Sequence, residues 1–80
     1  MRPRAVAVQP LDDYTLLVTF ANKEKKIFDV KPYFDFIQFQ ELQDKDIFNK
    51  VYISGLSIEW INGQDICPDE LYFDSKPTTA

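Results

Sequence analysis

Tyr14-Thr15-Leu16-Leu17-Val18-Thr19-Phe20 is the stretch on which the fold turns. Tyr14, Leu16, Val18 and Phe20 alternate with Thr15, Leu17 and Thr19, a period of two that belongs to a strand with one buried face. Upstream, Pro10-Leu11-Asp12-Asp13 is turn chemistry. Ala5 to Gln9 before it reads as a short strand with Val6 and Val8 on one face. Downstream, Asn22-Lys23 gives a second turn in which Asn is suited to positive φ, and Lys25 to Val30 returns. An odd-length loop sets Phe28 and Val30 on the Leu16/Val18 face. A two-residue loop sets them opposite Leu17, and the residues leave both registers open.

Beyond Pro32 comes a dense aromatic run: Tyr33, Phe34, Phe36, Ile37 and Phe39. Neither helix nor strand periodicity places all five on one face. Asp44 is positioned as the N-cap of a short helix from Lys45 to about Lys50, burying Ile47 and Val51. Val51 to Ile53 starts a strand, Ser54-Gly55 interrupts it, and Ser57 to Ile61 resumes it with Ile58 and Trp60 on one face. Asn62-Gly63 is a strong hairpin signal, returning through Gln64 to Ile66. Pro68 suits a first helical position, with Asp69 and Glu70 where the helix dipole favours acid. That helix is expected over Pro68 to Phe73. The expectation is an α+β fold: a small, mostly antiparallel sheet of about five short strands with two short helices. It forms one domain over residues 1–80, ordered over 4–73 and frayed over 74–80.

Composition narrows function by exclusion. The chain has 80 residues, 45% of them apolar, with twelve aromatics to fill a core. It has no histidine and one cysteine, Cys67. Ser-His-Asp and Cys-His nucleophile systems, and Cys/His zinc sites within one chain, therefore cannot be built. Two glycines, Gly55 and Gly63, are too few for a Gly-rich phosphate loop. The acidic pairs Asp12/Asp13 and Asp44/Asp46, and the group Asp65, Asp69 and Glu70, sit at turns and helix starts, where capping explains them. Asp44-Lys45-Asp46 superficially resembles a calcium loop but lacks its glycine and its later bidentate glutamate. Cys67 precedes Pro68 at a helix start, with no histidine to activate it. No catalytic residue, cofactor or metal ligand is expected. The net charge of −4 disfavours nucleic acid. The basic residues Arg2, Arg4 and Lys23 to Lys26 read as a solvated terminus and hairpin tip. No run approaches the roughly 20 apolar residues of a membrane span, and no signal peptide is apparent. A cytoplasmic protein is the expectation.

The spacing across the chain resembles a bacterial family catalogued as "domain of unknown function 2442". The matching residues begin with Val6-x-Val8-x-Pro10, Asp13-Tyr14-x-Leu16-x-Val18-x-Phe20, Asn22 and Phe28-Asp29-Val30. They continue with Phe39-x-x-Leu42-x-Asp44 and Phe48-x-x-Val51. The most specific part is Ile58-x-Trp60-x-Asn62-Gly63-x-Asp65-Ile66-x-Pro68 with Leu71-Tyr72. The resemblance implies a compact α+β domain without known catalysis. Some members are encoded beside a small protein of the "domain of unknown function 4160" type, which implies an antitoxin-like or other two-component pair. Lys23 stands where the family usually has a turn glycine, and Phe36-Ile37 replaces a more polar stretch.

Two functional readings follow. In the first, the chain is a protein-interaction module whose partner is a small protein or a second copy of itself. Its candidate surface is Tyr33, Phe34, Phe36, Ile37 and Phe39, since Phe36 and Ile37 have no obvious place in the core. In the second, Trp60, Asn62, Asp65 and Tyr72 form a weak ligand-binding or enzymatic site. The structural alternative for Trp60, Asn62, Gly63, Asp65, Ile66, Pro68, Leu71 and Tyr72 is a hairpin feeding a Pro-started helix.

Overall fold

Three hairpins share one kind of loop. A computed structural model describes residues 2–78. Strand β1 (Ala5–Pro10) pairs antiparallel with β2 (Thr15–Phe20), which pairs with β3 (Lys25–Asp29). The β1–β2 loop closes with Leu11 N–H on the Thr15 carbonyl at 2.9 Å. The β2–β3 loop closes with Phe20 N–H on the Glu24 carbonyl at 2.8 Å. In each the third loop residue takes positive φ: Tyr14 at 62° and Lys23 at 74°. This is the three-residue hairpin with a left-handed final residue. The odd length sets the register, so Leu16 faces Phe28 and Leu17 faces Ile27. The left-handed position falls to Lys23; Asn22 instead accepts from Glu24 N–H at 3.1 Å.

Chain order continues through two 3-10 segments, Lys31–Asp35 and Ile37–Gln43, and helix α1 (Lys45–Phe48). Asp44 caps α1 as expected, accepting from Asp46 N–H at 3.0 Å. The helix is one turn long, and its fully buried residue is Phe48; Ile47 and Val51 pack at the core's edge. Strands β4 (Tyr52–Ser54), β5 (Ser57–Glu59) and β6 (Asp65–Ile66) form a second antiparallel sheet. Gly55 does not merely interrupt one strand. It takes φ 57° at the first position of a two-residue turn, folding β4 back on β5. The β5–β6 loop repeats the three-residue form: Trp60 N–H donates to the Gln64 carbonyl at 2.8 Å, with Gly63 at φ 91°.

Helix α2 (Pro68–Phe73) begins at the predicted proline. The tail departs from expectation. Within residues 74–78, β7 (Lys76–Pro77) pairs with Ile27 and Lys26 of β3, and Ser75 is buried, its hydroxyl donating to the Tyr72 carbonyl at 2.9 Å. Residues 79 and 80 lie outside the described set. The architecture is thus α+β and antiparallel, with a four-stranded sheet ordered β1-β2-β3-β7 and a three-stranded sheet ordered β4-β5-β6.

One core joins the sheets. Leu16, Val18, Phe20 and Phe28 meet Ile58, Trp60, Ile66 and Leu71, with Phe39, Leu42 and Phe48 closing the end. Strand β1 departs from simple alternation. An irregularity between Ala5 and Ala7 turns Ala5 and Val8 inward and leaves Val6 exposed. Lys26 shares the Leu16/Phe28 face, since it pairs with Val18, and it is buried. Its ammonium donates to the Tyr72 carbonyl at 2.9 Å and lies 3.8 Å from the Tyr72 ring centroid. A buried lysine is tolerable only with such partners.

Candidate functional site

The aromatic run divides by burial. Phe39 is in the core, and Tyr33 and Phe34 pack half-buried against it. Phe36 and Ile37 are 55% and 81% exposed. The cause is local. Phe36 sits between the two 3-10 segments in extended geometry (φ −96°, ψ 132°). This break turns the Phe36–Ile37 corner outward, while Phe39, three residues on, points back in. Of the five candidates, Phe36 and Ile37 are surface, Tyr33 is half-buried beside Phe36, Phe34 packs edge-on against Tyr14, and Phe39 is core.

A groove of about 970 Å³ opens beside this corner. Its apolar lining includes Tyr33, Phe36 and Phe73, and it lies between β3, the first 3-10 segment and the end of α2. Phe73 is 67% exposed and was absent from the sequence candidates. A signal for it existed: it lies two residues past the buried Leu71, about 200° around a helix, and so on the opposite face. The rim carries Asp13, Asp29, Glu70 and Asp74 with Lys31 and Lys76. The Tyr33 hydroxyl donates to Glu70, tying the aromatic segment to α2. Partial burial and that carboxylate both push the Tyr33 phenol upward, so it stays a neutral donor. The Thr15 hydroxyl, which donates to Asp13, holds the Asp13 carboxyl below the usual range, helped by nearby Lys31.

The alternative constellation does not converge. Trp60 is fully buried, and its indole N–H donates to the Phe48 carbonyl at 3.0 Å. Asn62 turns back on its own loop, accepting from Gln64 N–H at 3.2 Å, with its amide nitrogen enclosed and unpartnered. Asp65 is an exposed member of β6, opposite Glu59. Tyr72 points to the other side of α2: its ring packs edge-on against Phe20, 5.0 Å between centroids, and its hydroxyl donates to Glu24. Gly63, Ile66, Pro68 and Leu71 serve the turn, the core, the helix start and the core again. Cys67 is exposed beside them.

Among the described residues no group of three or more Asp, Glu or Cys side chains is placed to hold a metal ion. Among them no helix is long and apolar enough to cross a membrane. Comparison with curated proteins and with solved structures returned no match. One family model matches residues 5–77, that of "Protein of unknown function (DUF2442)". Among the described residues it spans all seven strands and both α-helices, including β7 and the Trp60-to-Tyr72 hairpin and helix. The chain therefore belongs to the DUF2442 family.

Proposed function

We propose that this protein is a non-catalytic protein-interaction module acting in the cytoplasm, the neutralising member of an antitoxin-like pair with a small protein encoded beside it. The observation that carries the reading is the apolar corner of Phe36 and Ile37 next to the groove that ends in Phe73. Large apolar side chains grouped on so small a surface favour a partner over water. None of them contributes to the core, so selection for folding alone does not account for them.

Co-expression with the neighbouring gene product, followed by size-exclusion chromatography, tests the reading. Co-elution is expected, and Ile37→Lys is expected to abolish it. Because Ile37 is 81% exposed, that substitution should leave stability within about 0.5 kcal/mol of wild type. Separate elution of the two chains at every salt concentration overturns the proposal.

A further inference from the structure

We infer that the groove receives an arginine-bearing apolar segment of a second protein; this rests on the interaction reading and specifies the chemistry of its partner. The lining includes the aromatic side chains of Tyr33, Phe36 and Phe73, the last two largely exposed. The rim is acidic, with four carboxylates and two lysines. Lys31 is already committed: its Nζ lies 3.1 Å from Asp29 Oδ1 and donates to the Asp13 carbonyl at 2.9 Å. Its charge cancels that of Asp29, which leaves Asp13, Glu70 and Asp74 against Lys76 alone. Glu70 accepts from Tyr33, yet a carboxylate has about four acceptor sites, so it has room for an incoming donor. A guanidinium satisfies both halves of this surface. It stacks on aromatic faces and forks onto carboxylates, whereas an ammonium acts as a compact, strongly hydrated point charge. A second copy of the chain is a poor occupant, because it brings its own net charge of −4 to the same acidic rim. Nucleic acid is repelled for the same reason.

The test uses the isotope-labelled full chain and four synthetic peptides, read by amide chemical-shift titration. The peptides share one Leu/Phe core and differ in two flanking positions, occupied by Arg, Lys, citrulline or Glu. The Arg peptide is expected to shift the amides of residues 33–37 and 70–76. Citrulline and Glu peptides are expected to bind about tenfold more weakly or worse, with Lys between. Glu70→Gln with Asp74→Asn is expected to reduce Arg-peptide affinity by a similar factor and to leave citrulline binding unchanged. Equal binding of the citrulline or Glu peptide overturns the inference. So does the absence of groove shifts with every peptide. In either case the interaction reading stands or falls separately, on whether Ile37→Lys abolishes co-elution.

Discussion

At the scale of single residues, the left-handed loop positions carry the clearest energetic statement. Three hairpins demand positive φ at their third loop residue, and only Gly63 meets the demand with glycine. Lys23 and Tyr14 bear the clash of Cβ with the backbone, which costs about 1–2 kcal/mol in the left-handed region. Tyr14 is repaid by position. Its ring packs edge-on against Phe34 and Phe48, 5.2 Å to each centroid, and its hydroxyl donates to the Gln43 carbonyl. Lys23 is exposed, and its side chain makes no hydrogen bond or salt bridge among the described residues. Lys23→Gly is therefore expected to stabilise the fold by about 0.5–1 kcal/mol, the strain relieved less the entropy glycine loses. Urea denaturation with an unchanged slope would show it, and a loss of stability would contradict the strain argument.

At the scale of elements, α2 is fastened to the β2–β3 hairpin by a polar latch over an aromatic contact. The Tyr72 hydroxyl donates to Glu24, and Lys26 donates to the Tyr72 carbonyl. The Tyr72 hydroxyl, with the Asn22 amide second, holds the Glu24 carboxyl below its ordinary 4.5 in the folded state. A depressed folded-state value means that the unfolded chain binds the proton first. The latch is at full strength above about pH 4.5 and is lost as pH falls through the folded-state value. Tyr72→Phe should flatten this part of the pH–stability profile while leaving the profile above pH 5 parallel to wild type. Thermal melts at a series of pH values measure it, and an unchanged acid limb would refute the latch. Much of the element plan was legible in the chain. Alternation announced β2, Asp44 its helix, and Pro68 the start of α2. Of the three errors, that at Gly55 is local, a two-residue turn between adjacent strands, and the other two come from elements shaped by distant partners. Gly55 reads as a break until β5 is seen to fold back on β4. Residues 76–77 read as tail because the strand that pairs with them lies about fifty positions earlier. Lys26 reads as surface because only the docked helix supplies its carbonyl.

At the scale of the whole molecule, the two sheets have a single interior, and Trp60 stands at its centre. Its indole N–H reaches from just past β5 to the Phe48 carbonyl of α1, while its ring packs against Phe48 with centroids 6.1 Å apart. Trp60→Phe leaves a void and strands that carbonyl, at an expected cost of about 2–4 kcal/mol. Because one cluster serves both sheets, far-ultraviolet and near-ultraviolet circular dichroism should lose signal in one shared transition in wild type and variant alike. Separate midpoints for the two probes would mean that the sheets unfold independently. The candidate surface was less legible than this interior. Phe36 and Ile37 were suspect because the core had no place for them. Phe73 joined them only once α2 was seated and its outer face identified.

The terminal strand has a consequence for the birth of the chain. Thr78, just past β7, bonds Lys25 across 53 positions. At ribosomal speeds of about 5–20 residues per second, β3 emerges roughly 3–10 s before the strand that shields it. For that interval the nascent sheet presents an open rim of backbone donors and acceptors to neighbouring nascent chains. In the completed protein β7 covers Lys26 and Ile27 of that rim, and translation pauses within residues 30–75 would lengthen the exposure.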